Sequence, residues 1–369
     1  MSIDDILYKD IERRQFLKGT GKAALGLAGL LSGCAPTLKE LREDVAKINW
    51  LCNRAFPMPS VGCYVGTNME RGYYRSLESI VGGFLAGGYR SAESIAEGFK
   101  KEYGIYPALF GAAGKYNTFN ALFPRSSCEE IIRAGSIPIL YYSISPFEGY
   151  RPIARGQFDD DIKRFGNQVA EFGQPIIIIP FPQTNDTPTG TSWGGNPANE
   201  FKDAYVRIHG LCKKEGANKN AIWGLKLKIG RWQSFSYTDP ITFIPAQEYV
   251  DILGWSVNDH NKPEIGMYSQ SLETMVGPYY DEAATKFPRT PQFYFELSAA
   301  KGPMQHIWMD KGLTVTENRF PRVKGIILDE IPGKGGSRYG VFDPAPTEKT
   351  LQVIRKHFAN PYFIGSIPK

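Results

Sequence analysis

Two short runs constrain this chain more than anything else in it: Ile176-Ile177-Ile178-Ile179 and Gly325-Ile326-Ile327-Leu328. Side chains alternate between the two faces of a strand, so a strand with no polar position has no face to give to water. Such strands belong in a parallel sheet covered by helices. Eight segments share this apolar character in varying degree: 62–66, 106–110, 137–143, 175–179, 221–226, 249–255, 292–297 and 323–328. Between them, residues 77–84, 91–103, 159–172 and 199–215 place apolar side chains three and four apart, the period of a helix with one buried face. Ser91 with Ser94, and Asn199, stand where N-caps are expected. The alternation predicts an α/β fold, a (β/α)8 TIM barrel, as a single domain over residues 59–369. A doubly wound open sheet is the alternative. In a barrel, the loops after the strands carry function, so the strand ends are the places to look.

Composition narrows the partners. Hydrophobic residues make up 42% of the 369, enough for a full core. The net charge of +5 is mild and no Lys/Arg stripe is present, so no nucleic-acid partner is expected. Six Trp, 20 Tyr and 22 Phe are mostly core, but rings with a polar tip also suit a sugar. The chain has no CxxC, HExxH, P-loop or strand-linked GxGxxG, and its four histidines and five cysteines are scattered, so neither cofactor nor metal is expected. Cys52 and Cys63 either bridge in an oxidising compartment or stay as free buried thiols.

The first residues resemble an address. Arg13-Arg14-Gln15-Phe16-Leu17-Lys18 is similar to a twin-arginine export signal, and the apolar stretch Ala23–Leu31 that follows is too short to span a bilayer. Leu31-Ser32-Gly33-Cys34 resembles a bacterial lipobox. The expectation is a signal peptide over 1–33, a lipidated tether over 34–58, and a protein carried out by the machinery that exports folded proteins. A lipid on Cys34 would then anchor it to the membrane of the cell envelope, on its periplasmic or outer-surface side.

From residue 157 onward the motifs acquire a family likeness. Gln157-Phe158-Asp159-Asp160-Asp161-Ile162, Phe172-Gly173-Gln174-Pro175-Ile176, Asn199-Glu200-Phe201-Lys202-Asp203-Ala204-Tyr205, Glu215-Gly216-Ala217-Asn218 and Ala221-Ile222-Trp223 follow one another in order. Tyr249-Val250-Asp251-Ile252-Leu253-Gly254-Trp255 comes next. Together they resemble glycoside hydrolase family 26, the β-mannanases, licheninases and related endo-β-glycanases built on a (β/α)8 barrel. The likeness spans residues 61–332 and is strongest over 157–255. It implies a glutamate acid/base at the end of the fourth strand and a glutamate nucleophile on the seventh, with their carboxyl groups about 5–5.5 Å apart in a retaining mechanism.

Carried over residue by residue, the resemblance puts Glu296 at the nucleophile position and Gln183 at the acid/base position. Pro182 stands where the family has a histidine. Asn185 keeps an asparagine that supports sugar or glutamate. Trp193, Trp223 and Trp255 are expected to line a substrate cleft. Gln183 is the main departure, because a glutamine amide keeps the shape of glutamate but cannot ionise. Loss of general acid catalysis removes about 10²–10⁴-fold of rate. Lys226 and Lys228 are expected to divide between barrel mouth and wall, and the one in the mouth to neutralise Glu296 or meet an acidic sugar.

Three readings follow. One is a binding protein for a β-linked polysaccharide with impaired or lost hydrolysis. Another is an active retaining endo-β-glycanase of mannanase or glucanase type, with Glu296 as nucleophile and Asp186, Asp329 or Glu330 as a relocated acid. The last is a structural role in the envelope without a functional cleft.

Overall fold

The computed structural model describes residues 58–59, 62–68, 91–112, 123–142, 149–182, 185, 197–229, 239–259, 270–299, 302–328 and 346–365. All belong to the unit Arg54–Lys369. The expected signal, the tether up to residue 57 and the lipidation site (Arg13, Arg14, Cys34), Cys52 and the helix expected over 77–84 lie outside the described residues.

Eight parallel strands form the frame: β1 (Cys63–Asn68), β2 (Leu109–Ala112), β3 (Ile137–Tyr142), β4 (Ile176–Pro180), β5 (Ala221–Lys228), β6 (Ile252–Asp259), β7 (Gln292–Ala299) and β8 (Val323–Leu328). They hydrogen-bond in sequence order, β8 returns to β1, and β1 also pairs with β2. Gly66 opposite Leu109 and Tyr64 opposite Gly325 close the ring. The sheet is therefore a (β/α)8 barrel and not an open doubly wound sheet.

Around it lie α1 (Ala92–Tyr103), α2 (Arg125–Arg133), the one-turn α3 (Arg151–Ala154), α4 (Asp159–Phe172), α5 (Ala198–Lys214), α6 (Leu272–Lys286), α7 (Gln305–Arg319) and α8 (Glu348–Phe358). Ser91 caps α1 as expected, accepting the Ser94 amide at 3.2 Å. Asn199 does not cap α5: that helix starts one residue earlier, after Pro197, and has no side-chain cap. Tyr249, read as the beginning of the sixth strand, closes a 3-10 turn over Gln247–Tyr249, and β6 starts at Ile252.

Parity sorts the side chains. Ile137, Ile139, Tyr141, Ile177, Ile179, Ile222, Ile252, Phe293, Phe295 and Ile327 fill the lumen. Their sequence neighbours Leu140, Ile178, Trp223, Leu253 and Ile326 meet the helices. The lumen mixes very large and very small residues. Phe293 and Phe295 lie with ring centroids 5.5 Å apart, facing strand positions that carry no side chain. A Cβ on Gly254 would stand 1.8 Å from the Phe295 ring, and one on Gly325 would stand 2.3 Å from that of Phe293. The two glycines are notches that admit the rings, and close packing of this kind leaves no slack for an extra methyl.

A ninth strand, β9 (Phe363–Ile364), was not legible in the sequence. It pairs with the start of β1, before β2 begins, and Cys63 N donates to Tyr362 O at 2.8 Å. Gly62 makes this approach possible: φ is +96° and a Cβ would lie 2.5 Å from Tyr362 O. Cys63, Cys128 and Cys212 are free buried thiols, and burial pushes each of them up.

The glycine notches yield the first prediction. Gly254→Ala is expected to destabilise the barrel by about 1–3 kcal/mol or more through overpacking against Phe295. Trimming the ring in Gly254→Ala/Phe295→Leu should return part of the loss. Chemical denaturation of the three proteins measures both steps, and an unchanged midpoint for Gly254→Ala would refute the notch.

Candidate functional site

Glu296 owes its place to an irregularity in β7. Trp255 of β6 sits opposite Tyr294, but the next residue, Ser256, sits opposite Glu296, so Phe295 is an extra residue. The pairing with β8 slips over the same stretch, between Tyr294 and Leu297. Regular alternation would send Phe295 and Glu296 to opposite faces. The bulge lets Phe295 join the lumenal cluster while Glu296 also meets lumenal partners from β5 and β6. Glu296 lies in the C-terminal half of its strand, the half that carries chemistry in barrels of this kind.

Both carboxylate oxygens are engaged. Lys226 Nζ donates to Oε1 and Ser256 Oγ donates to Oε2. The pair is deep: the side chains of Lys226 and Glu296 are 1% and 9% exposed. Asn258 Nδ2 reaches Ser256 Oγ at 3.2 Å and Glu296 Oε2 at 3.5 Å, and Ser298 Oγ donates to Asn258 Oδ1. From Ser298 through Asn258 and Ser256, every donor points toward the same carboxylate. Tyr141 completes the cage, with its ring centroid 4.8 Å from Lys226 Nζ and its hydroxyl donating to Phe295 O at 3.5 Å.

Two opposed effects set the charge of Glu296. Burial pushes its carboxyl up, but Lys226 by charge and hydrogen bond, then Ser256, then the charge of Lys228, outweigh it. The carboxyl is held below the ordinary glutamate range, so Glu296 is an ionised carboxylate at neutral pH.

Lys226 thus fulfils the expectation of a lysine that neutralises Glu296. The expected division between Lys226 and Lys228 is corrected. Residues two apart on a strand share a face, and it is Leu225 and Leu227 that point to the helices. Lys228 is half-buried, one pleat beyond Lys226 toward the strand end.

The turn after β4 is strained and clamped. Phe181 takes a left-handed φ of 55°, a conformation that costs a bulky residue about 1–3 kcal/mol. Its amide donates to Tyr142 O at 2.9 Å, and its buried ring packs edge-on against Tyr150 and Phe201. Asn185 is buried as well. Its Nδ2 donates to Lys228 O at 2.9 Å and its Oδ1 accepts the Lys228 amide at 2.8 Å, so it continues the β4 side of the ladder onto β5. These two contacts are made to backbone; the expected role was to support sugar or the catalytic glutamate. They bring Asn185 to the same end of the barrel as Glu296.

The tryptophan expectations change. Trp223 and Trp255 are both 0% exposed and face the helices, not the lumen. Their indole N–H groups are spent on Asn218 Oδ1 at 2.8 Å and Gln292 Oε1 at 2.7 Å. Both belong to the core, because Trp223 shares the parity of Leu225, and Trp255 that of Leu253 and Val257. Gln183, Asp186, Trp193, Asp329 and Glu330 lie outside the described residues. Sequence reading missed Ser256, Asn258 and Ser298. Their signal was present as polar residues at every second position toward the ends of otherwise apolar strands.

No known family profile and no curated protein matches the sequence. Solved structures do share the fold. An endo-β-1,4-mannanase of glycoside hydrolase family 26 from Cellulomonas fimi superposes with a TM-score of 0.56 at 14% identity, over 82% of this chain and 72% of that one. A family 26 β-mannanase from Bacteroides ovatus gives 0.55 at 14% identity, over 82% and 90%. A Bacillus subtilis mannanase gives 0.56 at 15%, over 88% and 93%. The chain has the barrel fold of these mannanases, and at such identities the likeness is one of fold.

Removing the cation tests the electrostatics. Lys226→Met leaves a buried carboxylate without its partner and is expected to cost about 3–5 kcal/mol near neutral pH. The depressed carboxyl stabilises the wild-type fold above the ordinary glutamate pKa of about 4.3, and that contribution is lost as pH falls from there through the lower folded value. In Lys226→Met the carboxyl instead takes up a proton readily, so the gap between variant and wild type should narrow with acidification. Urea denaturation across pH measures it. A gap independent of pH would show that charge is not what Lys226 supplies.

Proposed function

We propose that this chain is an exported, lipid-anchored protein of the cell envelope whose barrel mouth binds a β-linked polysaccharide, with hydrolysis impaired or lost. The observation that carries this reading is Glu296, an ionised carboxylate at the lumenal end of β7 in a barrel with the fold of family 26 mannanases. A glycan chain offers hydroxyl donors and acceptors, and the mouth offers Glu296, Asn258 and Ser298 on one lumenal face. Impairment rests on Gln183, which the resemblance puts at the acid/base position and which can neither give nor take the proton a glycosidic oxygen requires. The address rests on Arg13, Arg14 and the lipobox-like segment ending in Cys34.

An active retaining glycanase is the second reading. A specific observation favours it: the nucleophile of that mechanism must be ionised, and Glu296 is. Asp186, Asp329 or Glu330 would then serve as the relocated acid.

Incubation of the purified protein with a panel of β-mannans and mixed-linkage β-glucans, with binding and released reducing ends measured together, separates the two. Retention of a β-glycan without new reducing ends is the expected result, and Glu296→Ala should weaken the retention. Turnover that disappears in Glu296→Ala would establish the active enzyme. Absence of binding to every glycan in the panel would overturn both.

A further inference from the structure

The contacts of Glu296 bear on hydrolysis in a way that does not involve residue 183. A retaining nucleophile must carry one carboxylate oxygen onto the anomeric carbon and give its charge to the new bond. Here Oε1 carries the Lys226 ammonium and Oε2 carries the Ser256 hydroxyl, with the Asn258 amide beside it. The lysine is not a surface side chain that can swing away. It is 1% exposed, lies against the Tyr141 ring, and shares its strand face with Gly224, whose position is closed by Ile177, Ile179 and Phe295. Moving Nζ off Oε1 would leave a buried ammonium and a buried carboxylate apart, which costs far more than breaking an exposed pair.

We infer that Lys226 is a second block on hydrolysis, acting through Glu296: it holds the carboxylate as a fixed, neutralised hydrogen-bond acceptor that can receive a sugar hydroxyl but cannot attack an anomeric carbon. Lys226 is a positioning residue in this scheme. The inference rests on the reading of Glu296 as the nucleophile position. It implies that placing a glutamate at residue 183 restores no turnover while Lys226 remains.

A substrate that needs no acid isolates the nucleophile. In a dinitrophenyl β-mannobioside with fluorine on C2 of the reducing-end sugar, a Glu296 oxygen would form a bond to C1. The bond from C1 to the phenolic oxygen would break, and dinitrophenolate would leave with the electron pair, so no proton donor is required. The fluorine slows release and leaves the glycosyl ester on the protein, where intact mass and peptide mapping detect it. Wild-type protein that binds this probe in competition with β-mannan is expected to stay unlabelled. Lys226→Gln is expected to become labelled on the peptide containing Glu296, at a rate that rises with pH as the carboxyl ionises. Lys226→Arg, which keeps the charge, should stay unlabelled.

Labelling of Glu296 in the wild type overturns the inference, and it does so whether or not Lys226→Gln folds. A folded Lys226→Gln that binds the probe and remains unlabelled also overturns it. Failure of the wild type to bind either probe or β-mannan sinks the polysaccharide reading itself, a result distinct from binding with rapid labelling.

Discussion

A carboxylate inside an apolar barrel persists only with a partner of opposite charge. Isolated burial would push Glu296 toward its neutral form, and the Lys226 ammonium reverses that tendency. Much of the surrounding structure serves this pairing. Gly254 leaves room for the Phe295 ring, the bulge at Phe295 turns Glu296 inward, and Ser256 and Asn258 take up the second carboxylate oxygen. Tyr141 walls the lysine from the β3 side. Without the ion pair, the polar residues of β6 and β7 would face a lumen that is otherwise mostly Ile, Phe and Tyr.

The strained turn after β4 belongs to the same economy of construction. Phe181 adopts a backbone conformation that a bulky residue avoids, and it stays there because its ring is locked among Tyr150 and Phe201. Asn185 is tied to the backbone of Lys228, two residues beyond the lysine that holds Glu296.

Most of the frame was legible in advance. The ends of α4 and β8 agree with the periodicity of their sequences, because each element has one clear rhythm and a sharp stop. The sixth strand was misplaced toward its start, since Tyr249 and Val250 have strand-like side chains but end and cap a 3-10 turn. Two residues at the end of the chain could not announce β9, because a strand so short is defined only by the open edge of β1 that it fills. Trp223 and Trp255 were assigned to a cleft on the family resemblance. Their parity with Leu225 and Leu253 already placed them among the helices.

The amino-acid sequence by itself determined that apolar strands alternate with amphipathic helices, and that such strands must be covered on both faces. That requirement calls for a parallel sheet covered by helices, because local hydrophobic rhythm specifies which elements form and what they bury, and the pairing of β8 with β1 closes that sheet into a barrel. The sequence also supplied the candidate glutamate. Only the tertiary structure decided which way that glutamate points and what touches it. The inward turn depends on a one-residue slip between β6, β7 and β8, and the touching lysine is 70 residues away in the chain. Neither follows from any local pattern, since register and ion pairing are set by which strands the closed ring makes neighbours.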